Sequence, residues 1–246
     1  YNNLANLYAG QQRYQKAIPL YNRAIELDEL YTKAYHNRGT AYLNTGNLQP
    51  AIADLQKALK MNPTDRQVKF DLATAYMEAG QFSNAEKAFT EIVQANPEDY
   101  KAWNNLALIH LRRKNYQQAL KFIEKSLAAN PNYARARYNR GLIYETGLRD
   151  RYRAVEDYLA SIRLEPEYLK PYRNLGGIYL MEHQYAEAID MYSFVIKNSA
   201  DNAEAYFGRA IAYASLQQQE NACADFEAAL RGGEAEAQQY LEAYCQ

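Results

Sequence analysis

A 34-residue period in small side chains constrains the fold of this 246-residue chain more than any other feature. Gly39 and Gly141 lie three such periods apart, and each is followed three residues later by a tyrosine, Tyr42 or Tyr144. With one residue inserted in the fifth repeat, the same step gives glycine or alanine seven times, at Ala5, Gly39, Ala73, Ala107, Gly141, Gly176 and Ala210. Self-similarity at a fixed period of this size indicates a repeat architecture.

A second set of positions repeats with the first. Alanine follows the small residue after twelve positions, or thirteen in the fifth repeat, at Ala17, Ala51, Ala85, Ala119, Ala154, Ala188 and Ala222. Four residues further on, a large side chain recurs at Tyr21, Leu55, Phe89, Ile123, Tyr158, Tyr192 and Phe226. Small residues on both helices of a hairpin allow a close approach that larger side chains would overpack. The pattern therefore predicts two amphipathic helices in each repeat, and neighbouring repeats must stack to bury their apolar faces.

This pattern resembles the tetratricopeptide repeat (TPR) family, in which aromatic residues, leucine, small residues and proline recur over 34 residues. The fourth repeat carries the match in Trp103, Leu106, Ala107, Ala119 and Pro131. The resemblance implies an all-α fold, an α-solenoid in a right-handed superhelix of about seven TPR helical hairpins plus a C-terminal capping helix. It predicts a single domain over 1–246, with repeats at 1–31, 32–65, 66–99, 100–133, 134–168, 169–202 and 203–236 and the capping helix at 234–246.

The two ends of this predicted stack differ. The segment 234–246 would present Tyr240, Leu241 and Tyr244 to the last repeat and its polar residues to water. Tyr1, in contrast, already occupies the fourth position of its repeat, counted as in 32–65. We therefore expect that the chain is a fragment, or that its uncapped N-terminal edge meets another chain or self-associates.

Arginine replaces the family's leucine next to the small residue in three repeats, at Arg38, Arg140 and Arg209. Long aliphatic stems can fill an apolar site while the charged head reaches water. We therefore expect these three guanidinium groups to extend to the surface.

The remaining composition argues against chemistry in this chain. The spacing of Cys223 and Cys245 does not suit a metal site, so we interpret them as two ordinary thiols, with a single C-terminal staple as the alternative. No apolar run is long enough to span a membrane, so no membrane insertion is expected. The compartment stays open between a cytoplasmic default and the periplasm. The three histidines lie in separate repeats and no phosphate-binding loop is present, which predicts no enzyme activity, no cofactor and no metal.

One face of the first helices carries a candidate binding site. At about 100° per residue, the second and sixth positions of a repeat lie opposite the packed face, which lines the concave groove in a TPR stack. Asparagine, a poor residue for a helix interior, fills the sixth position in five repeats, and cations fill the second position in four. This row resembles the asparagine ladder of some family members, which holds a peptide main chain. The predicted groove residues are Asn37, Asn105, Asn139, Asn174, Lys101, Arg135, Lys170, Tyr138 and Arg173. Asp71 and Gly208 interrupt the row, and the alternative is that the asparagines are ordinary helix surface.

Charge is unevenly distributed along the chain. The segment 99–153 holds 12 basic and 4 acidic residues, although the whole chain has a net charge of −1. A basic groove favours acidic partner segments. We therefore predict a non-enzymatic scaffold that binds an extended protein or peptide segment in its concave groove. The alternatives are the targeting arm of a larger enzyme and nucleic-acid binding, against which the acidity of the rest of the chain argues.

Overall fold

The computed structural model describes residues 1–199 and 202–245, and all regular secondary structure in them is helical. The chain divides into two compact units, Tyr1–Asn130 and Pro131–Gln246, called here the N-terminal and C-terminal units. Within each unit the helices pack as consecutive hairpins, and the second helix of each hairpin also contacts the first helix of the next. The all-α fold predicted from the 34-residue period is confirmed.

The N-terminal unit contains four hairpins. Their helices are α1 (Asn2–Gly10), α2 (Tyr14–Leu27), α3 (Thr32–Asn44), α4 (Leu48–Met61), α5 (Arg66–Glu78), α6 (Phe82–Ala95), α7 (Tyr100–Arg112) and α8 (Tyr116–Ala129). Within residues 131–199 and 202–245, the C-terminal unit contains three hairpins and a last short helix. Its helices are α9 (Ala134–Leu142), α10 (Arg151–Leu164), α11 (Leu169–Met181), α12 (Tyr185–Asn198), α13 (Ala203–Ser215), α14 (Gln219–Arg231) and α15 (Ala237–Tyr244), with a π-helical segment, Ile143–Leu148, after α9.

The periodic small residues lie where the two helices of a hairpin cross. A Cβ atom added to Gly39 would stand 2.8 Å from Leu55 Cγ, and one added to Gly141 would stand 2.6 Å from Tyr158 Cε1. Both distances are shorter than van der Waals contact, so glycine is required for Leu55 and Tyr158 to pack as they do. The alanines that face them from the second helices, such as Ala51 and Ala154, are fully buried.

We expect Gly141→Ala to destabilise the C-terminal unit by about 1–3 kcal/mol, because the new methyl group overlaps the buried ring of Tyr158. Urea unfolding followed by circular dichroism would measure the change. Gly10→Ala is the matched control, since nothing lies within 4 Å of a Cβ at that position. An equal loss of stability in both variants would contradict the close approach at Gly141.

Every hairpin turn closes through one residue with positive φ. The turn residues are Gln12, Gly46, Gly80, Lys114, Arg149, His183 and Gln217, with φ between 54° and 75°. Each stands seven positions after the small residue, except Arg149, which stands eight positions after Gly141. The π-helical segment Ile143–Leu148 accommodates that extra residue, so the fifth hairpin ends in the same left-handed turn as the others.

The expectation that Arg38, Arg140 and Arg209 extend to water holds only in part, because their side chains are 18%, 22% and 18% exposed. Each arginine forms two parallel hydrogen bonds with an aspartate on the second helix of its own hairpin, in the pairs Arg38–Asp54, Arg140–Asp157 and Arg209–Asp225, with N–O distances of 2.6–2.8 Å. The three aspartates are buried, with exposed fractions of 7%, 3% and 6%. A buried carboxylate needs a cationic partner, and this requirement holds the guanidinium groups between the helices.

The interpretation of the two cysteines as ordinary thiols is wrong. Cys223, in α14, and Cys245, just after α15, form a disulfide, with Cα atoms 5.7 Å apart. The pairing depends on α15 folding back along α14, which the separation in sequence does not reveal. Tyr240 stacks on Phe226 with ring centroids 5.0 Å apart, so the predicted C-terminal helix is present and covers the last hairpin.

Candidate functional site

In each unit the first helices present a polar face, called here the first-helix face of that unit. In the N-terminal unit it includes the exposed residues Lys33, Gln67 and Lys101 and the half-buried Asn37 and Asn105. In the C-terminal unit it includes the exposed residues Arg135 and Lys170 and the partly buried Asn174 and Arg173. The helical register therefore places the predicted cations of each unit at the surface.

Asn37 bonds to the preceding repeat through its amide nitrogen. Nδ2 donates to Asn6 Oδ1 at 2.9 Å and to Asn2 Oδ1 at 3.3 Å. The hydroxyl of Tyr21 donates to the same Asn6 oxygen at 2.7 Å. These contacts join α3 to α1 and α2. No donor to Asn37 Oδ1 is found in the described part of the chain, so this oxygen can accept a hydrogen bond from a ligand.

Asp71 takes the place of asparagine in the next repeat and also bonds to the repeat before it. Its Oδ2 lies 2.7 Å from His36 Nε2 in the preceding repeat, and its Oδ1 accepts from Gln67 Nε2 at 2.9 Å. Asp71 interrupts the row of asparagines but still bonds to the first helix of the preceding repeat. Asn105, one repeat later, accepts a long bond from Asn104 Nδ2 at 3.4 Å.

Asn174 repeats this arrangement in the C-terminal unit. Its Nδ2 donates to Glu145 Oε2 at 3.1 Å and lies 3.2 Å from the hydroxyl of Tyr158. Tyr158 in turn donates its proton to Glu145, which lies in the π-helical segment. Burial and the hydrogen bond to Glu145 raise the pKa of Tyr158, so its hydroxyl stays protonated at neutral pH.

The other predicted groove residues differ in how far a ligand can reach them. Asn139 and Tyr138 are buried, with exposed fractions of 6% and 9%, and Tyr138 packs against the rings of Tyr158 and Tyr168. Burial raises the pKa of Tyr138 to about 12. Arg173 is 37% exposed, and its Nη1 pairs with Glu204 Oε2 at 3.2 Å. Arg135 and Lys170 are the more accessible cations among the predicted groove residues of this unit.

The hydrogen bonds of the buried tyrosines are what reasoning from the sequence missed. Tyr21 and Tyr158 stand at the same position of their second helices. The Tyr21 hydroxyl donates to Asn6 in α1, and the Tyr158 hydroxyl donates to Glu145 in the π-helical segment after α9. The signal was present in the sequence, because a tyrosine at this position places a donor where leucine or phenylalanine places none.

The arrangement offers hydrogen-bonding groups and charges to a ligand. Across 1–199 and 202–245, no group of three or more histidine, cysteine or acidic side chains could hold a metal ion. None of the helices in those residues is both long enough and apolar enough to cross a membrane.

Models of the tetratricopeptide repeat match most of the chain, over 1–64, 70–134, 134–168 and 173–240. A UDP-N-acetylglucosamine–peptide N-acetylglucosaminyltransferase from Giardia intestinalis is 36% identical over 73 residues, which are 30% of this chain and 5% of that protein. The chain spans 14% or less of the length of the curated relatives that it matches.

Solved structures share the fold at low sequence identity. A tetratricopeptide repeat protein from Parabacteroides merdae superposes with a TM-score of 0.70 at 21% identity, covering 99% of this chain and 97% of that one. YrrB, described as a TPR protein with an unusual peptide-binding site, gives a TM-score of 0.53 at 24% identity, covering 70% of this chain and 88% of that one. One family model alone matches 70–134 and 173–240, which is more than half of the chain. The chain belongs to the tetratricopeptide repeat family.

Proposed function

We propose that this chain is a non-enzymatic interaction domain that binds an extended segment of a partner protein along its first-helix faces. TPR domains typically mediate protein–protein interactions. The observation that carries the proposal is an exposed cation at the same register of four first helices, α3, α7, α9 and α11. In α3 and α11 the asparagine four residues later bonds internally through its nitrogen. YrrB, which has the same fold, is described as having a peptide-binding site.

The asparagines and cations contribute different interactions. The oxygens of Asn37 and Asn174 would accept hydrogen bonds from main-chain N–H groups, while Lys101, Arg135 and Lys170 would favour acidic side chains. Each hydrogen bond is worth about 0.5–1.5 kcal/mol net. Because a flexible peptide loses conformational entropy on binding, a few such contacts correspond to dissociation constants on the order of micromolar.

We expect the double variant Lys33→Glu/Lys101→Glu to lose most acidic peptides from a proteome-derived peptide-display selection, because both substitutions reverse charge on the first-helix face. Bound peptides would be identified by sequencing. The matched control is Lys57→Glu/Lys60→Glu, which makes the same charge change on exposed positions of the second helix α4.

Both variants should first show the helical content and thermal stability of the wild type. If the two variants lose the same peptides, the effect is one of net charge and the first-helix face is not the binding surface. If the wild type retains no peptides, the proposed function itself is wrong.

A second candidate function follows from the similarity to the Giardia transferase. The chain would then recruit protein substrates for a catalytic domain elsewhere in a larger protein. TPR domains are usually non-catalytic themselves, so the first-helix face would act in the same way in both cases. The sequence of the full gene tests this candidate, since a catalytic domain in the same reading frame would support it and its absence would refute it.

A further inference from the structure

The hydroxyl of Tyr192 lies at the floor of a notch in the first-helix face of the C-terminal unit. Tyr192, in α12, is 5% exposed and occupies the same repeat position as Tyr21 and Tyr158. Its ring crosses Gly176, and its hydroxyl lies between Gly177 of α11 and Gly208 of α13. We call the space bounded by Tyr192, Gly177 and Gly208 the glycine notch.

Tyr192 differs from the two equivalent tyrosines in its hydrogen bonding. Tyr21 donates to Asn6, and Tyr158 donates to Glu145. The hydroxyl of Tyr192 has no hydrogen-bond partner among residues 1–199 and 202–245, and its oxygen keeps contact with solvent. Burial raises the pKa of Tyr192 to about 12, so the group is a protonated donor at neutral pH. Because the oxygen reaches solvent, its acceptor is water or a ligand rather than a protein side chain.

The two glycines account for the missing partner, but only one of them is required by packing. A Cβ atom at Gly208 would overlap the ring of Tyr192, so glycine is needed there for the ring to fit. A Cβ atom at Gly177 would lie 3.8 Å from the Tyr192 hydroxyl, which is ordinary contact. Gly177 stands at the repeat position of Asn6, the residue that accepts from Tyr21. The sequence therefore has no side-chain acceptor at a position where a Cβ atom would fit.

The charges at the edge of the notch indicate what could supply an acceptor. Arg173 and Glu204 pair across α11 and α13, and both charges act on the Tyr192 hydroxyl. Glu204, which is 66% exposed, would repel an incoming carboxylate and can accept from an N–H group. A peptide group provides both a carbonyl acceptor and an N–H donor without charge. Glycine also allows a ligand's main chain to approach closely.

We propose that the glycine notch is a main-chain subsite, in which a carbonyl oxygen of the bound partner segment accepts a hydrogen bond from the Tyr192 hydroxyl. This inference rests on the proposed function of the first-helix face. The partner's carbonyl takes the place that the Asn6 and Glu145 side chains occupy next to the equivalent tyrosines. The subsite recognises a neutral peptide group, in contrast to the exposed cations, which select acidic side chains.

Three single variants test the subsite. Tyr192→Phe removes the donor and keeps the ring, and we expect it to weaken binding of the peptides that the wild type selects by about three- to ten-fold, the effect of one hydrogen bond. Gly177→Asn supplies the internal acceptor that Asn6 supplies to Tyr21, and we expect it to weaken binding at least as much because it also fills the notch. Tyr185→Phe is the matched control on the same helix, since its hydroxyl already bonds to His183 Nδ1 at the hairpin turn, and its effect on binding should be below two-fold.

The measurement is a proteome-derived peptide-display selection on the wild type, followed by titration of the most enriched peptides with all four proteins. Circular dichroism and thermal unfolding would confirm that each variant is folded. Unchanged affinity in Tyr192→Phe overturns the subsite, because the wild-type hydroxyl then donates to water and not to the bound partner. That outcome leaves the proposed function standing. Equal weakening in Tyr185→Phe also overturns the subsite. A wild type that enriches no peptide overturns both proposals together.

Discussion

Replacing Asp54 by leucine is expected to lower the free energy of unfolding of the N-terminal unit by about 2–4 kcal/mol. Asp54 is buried and forms two hydrogen bonds with Arg38, whose guanidinium group also contacts Asn22 Oδ1 at 2.8 Å. The substitution leaves a guanidinium group between helices without its carboxylate. The side chain of Arg38 is 18% exposed, so water limits the loss. Urea unfolding measured by circular dichroism would give the change.

The double variant Arg38→Leu/Asp54→Leu should recover most of that loss. Removing both charges together leaves no buried ion, and exchanges of this kind are often neutral or stabilising. The chain itself contains the apolar version of the pair, because Leu4 stands opposite Leu20 and Leu106 opposite Phe122 at the corresponding positions.

A surface pair provides the control for this cycle. Arg23 and Glu26 form an ion pair at 2.7 Å in which both side chains are more than half exposed. Glu26→Leu should therefore change stability little. If Asp54→Leu behaves like Glu26→Leu, or if the double variant is no more stable than Asp54→Leu, the ion pair between the helices is not a structural element.

Reducing the disulfide between Cys223 and Cys245 is expected to release α15 from the last hairpin. The bond closes a loop with a sequence separation of 22 residues, for which chain entropy gives about 3 kcal/mol. Without it, α15 depends on the contacts of Tyr240 with Phe226 and Phe207 and on the bond from Gln219 Nε2 to the Tyr244 carbonyl. Hydrogen exchange of Ala237–Tyr244 with and without reductant would show the change.

The control for this experiment is the variant Cys223→Ser/Cys245→Ser, which should exchange like the reduced wild type whether or not reductant is present. Protection in Ala237–Tyr244 that does not change on reduction would show that packing alone holds α15. Because disulfides persist in oxidising compartments, we expect α15 to be held less firmly when the chain is kept in a reducing one.

Much of the fold could be predicted from the sequence because it depends on a local pattern repeated many times. The helices and turns follow from the spacing of Gly39, Gly141 and their equivalents, which identifies the crossing points of the hairpins. The exposure of the cations on the first-helix face could be predicted from the helical register. The roles of the predicted groove residues in binding remain predictions.

The rest depended on relations between residues rather than on single positions. Wherever arginine precedes the small residue, aspartate stands sixteen residues later, or seventeen in the fifth repeat, and wherever leucine does, the partner is apolar. Reading Arg38 together with Asp54 would have predicted the ion pair. The disulfide could not be predicted in this way, because Cys223 and Cys245 meet only through the direction in which α15 returns. The bonded state of Asn37 likewise depends on Asn2 and Asn6 in another repeat.

The π-helical segment Ile143–Leu148 has a consequence for how repeats of this kind can change in length. A residue inserted in a continuous α-helix rotates everything that follows by about 100°. Here the extra residue is absorbed before Arg149, and Ala154 and Tyr158 are as fully buried as Ala119 and Ile123 in the preceding repeat. The end of a first helix therefore tolerates insertion without disturbing the next interface. One residue can therefore be added at this point, during evolution or by design, while the buried positions of the following helix keep their register.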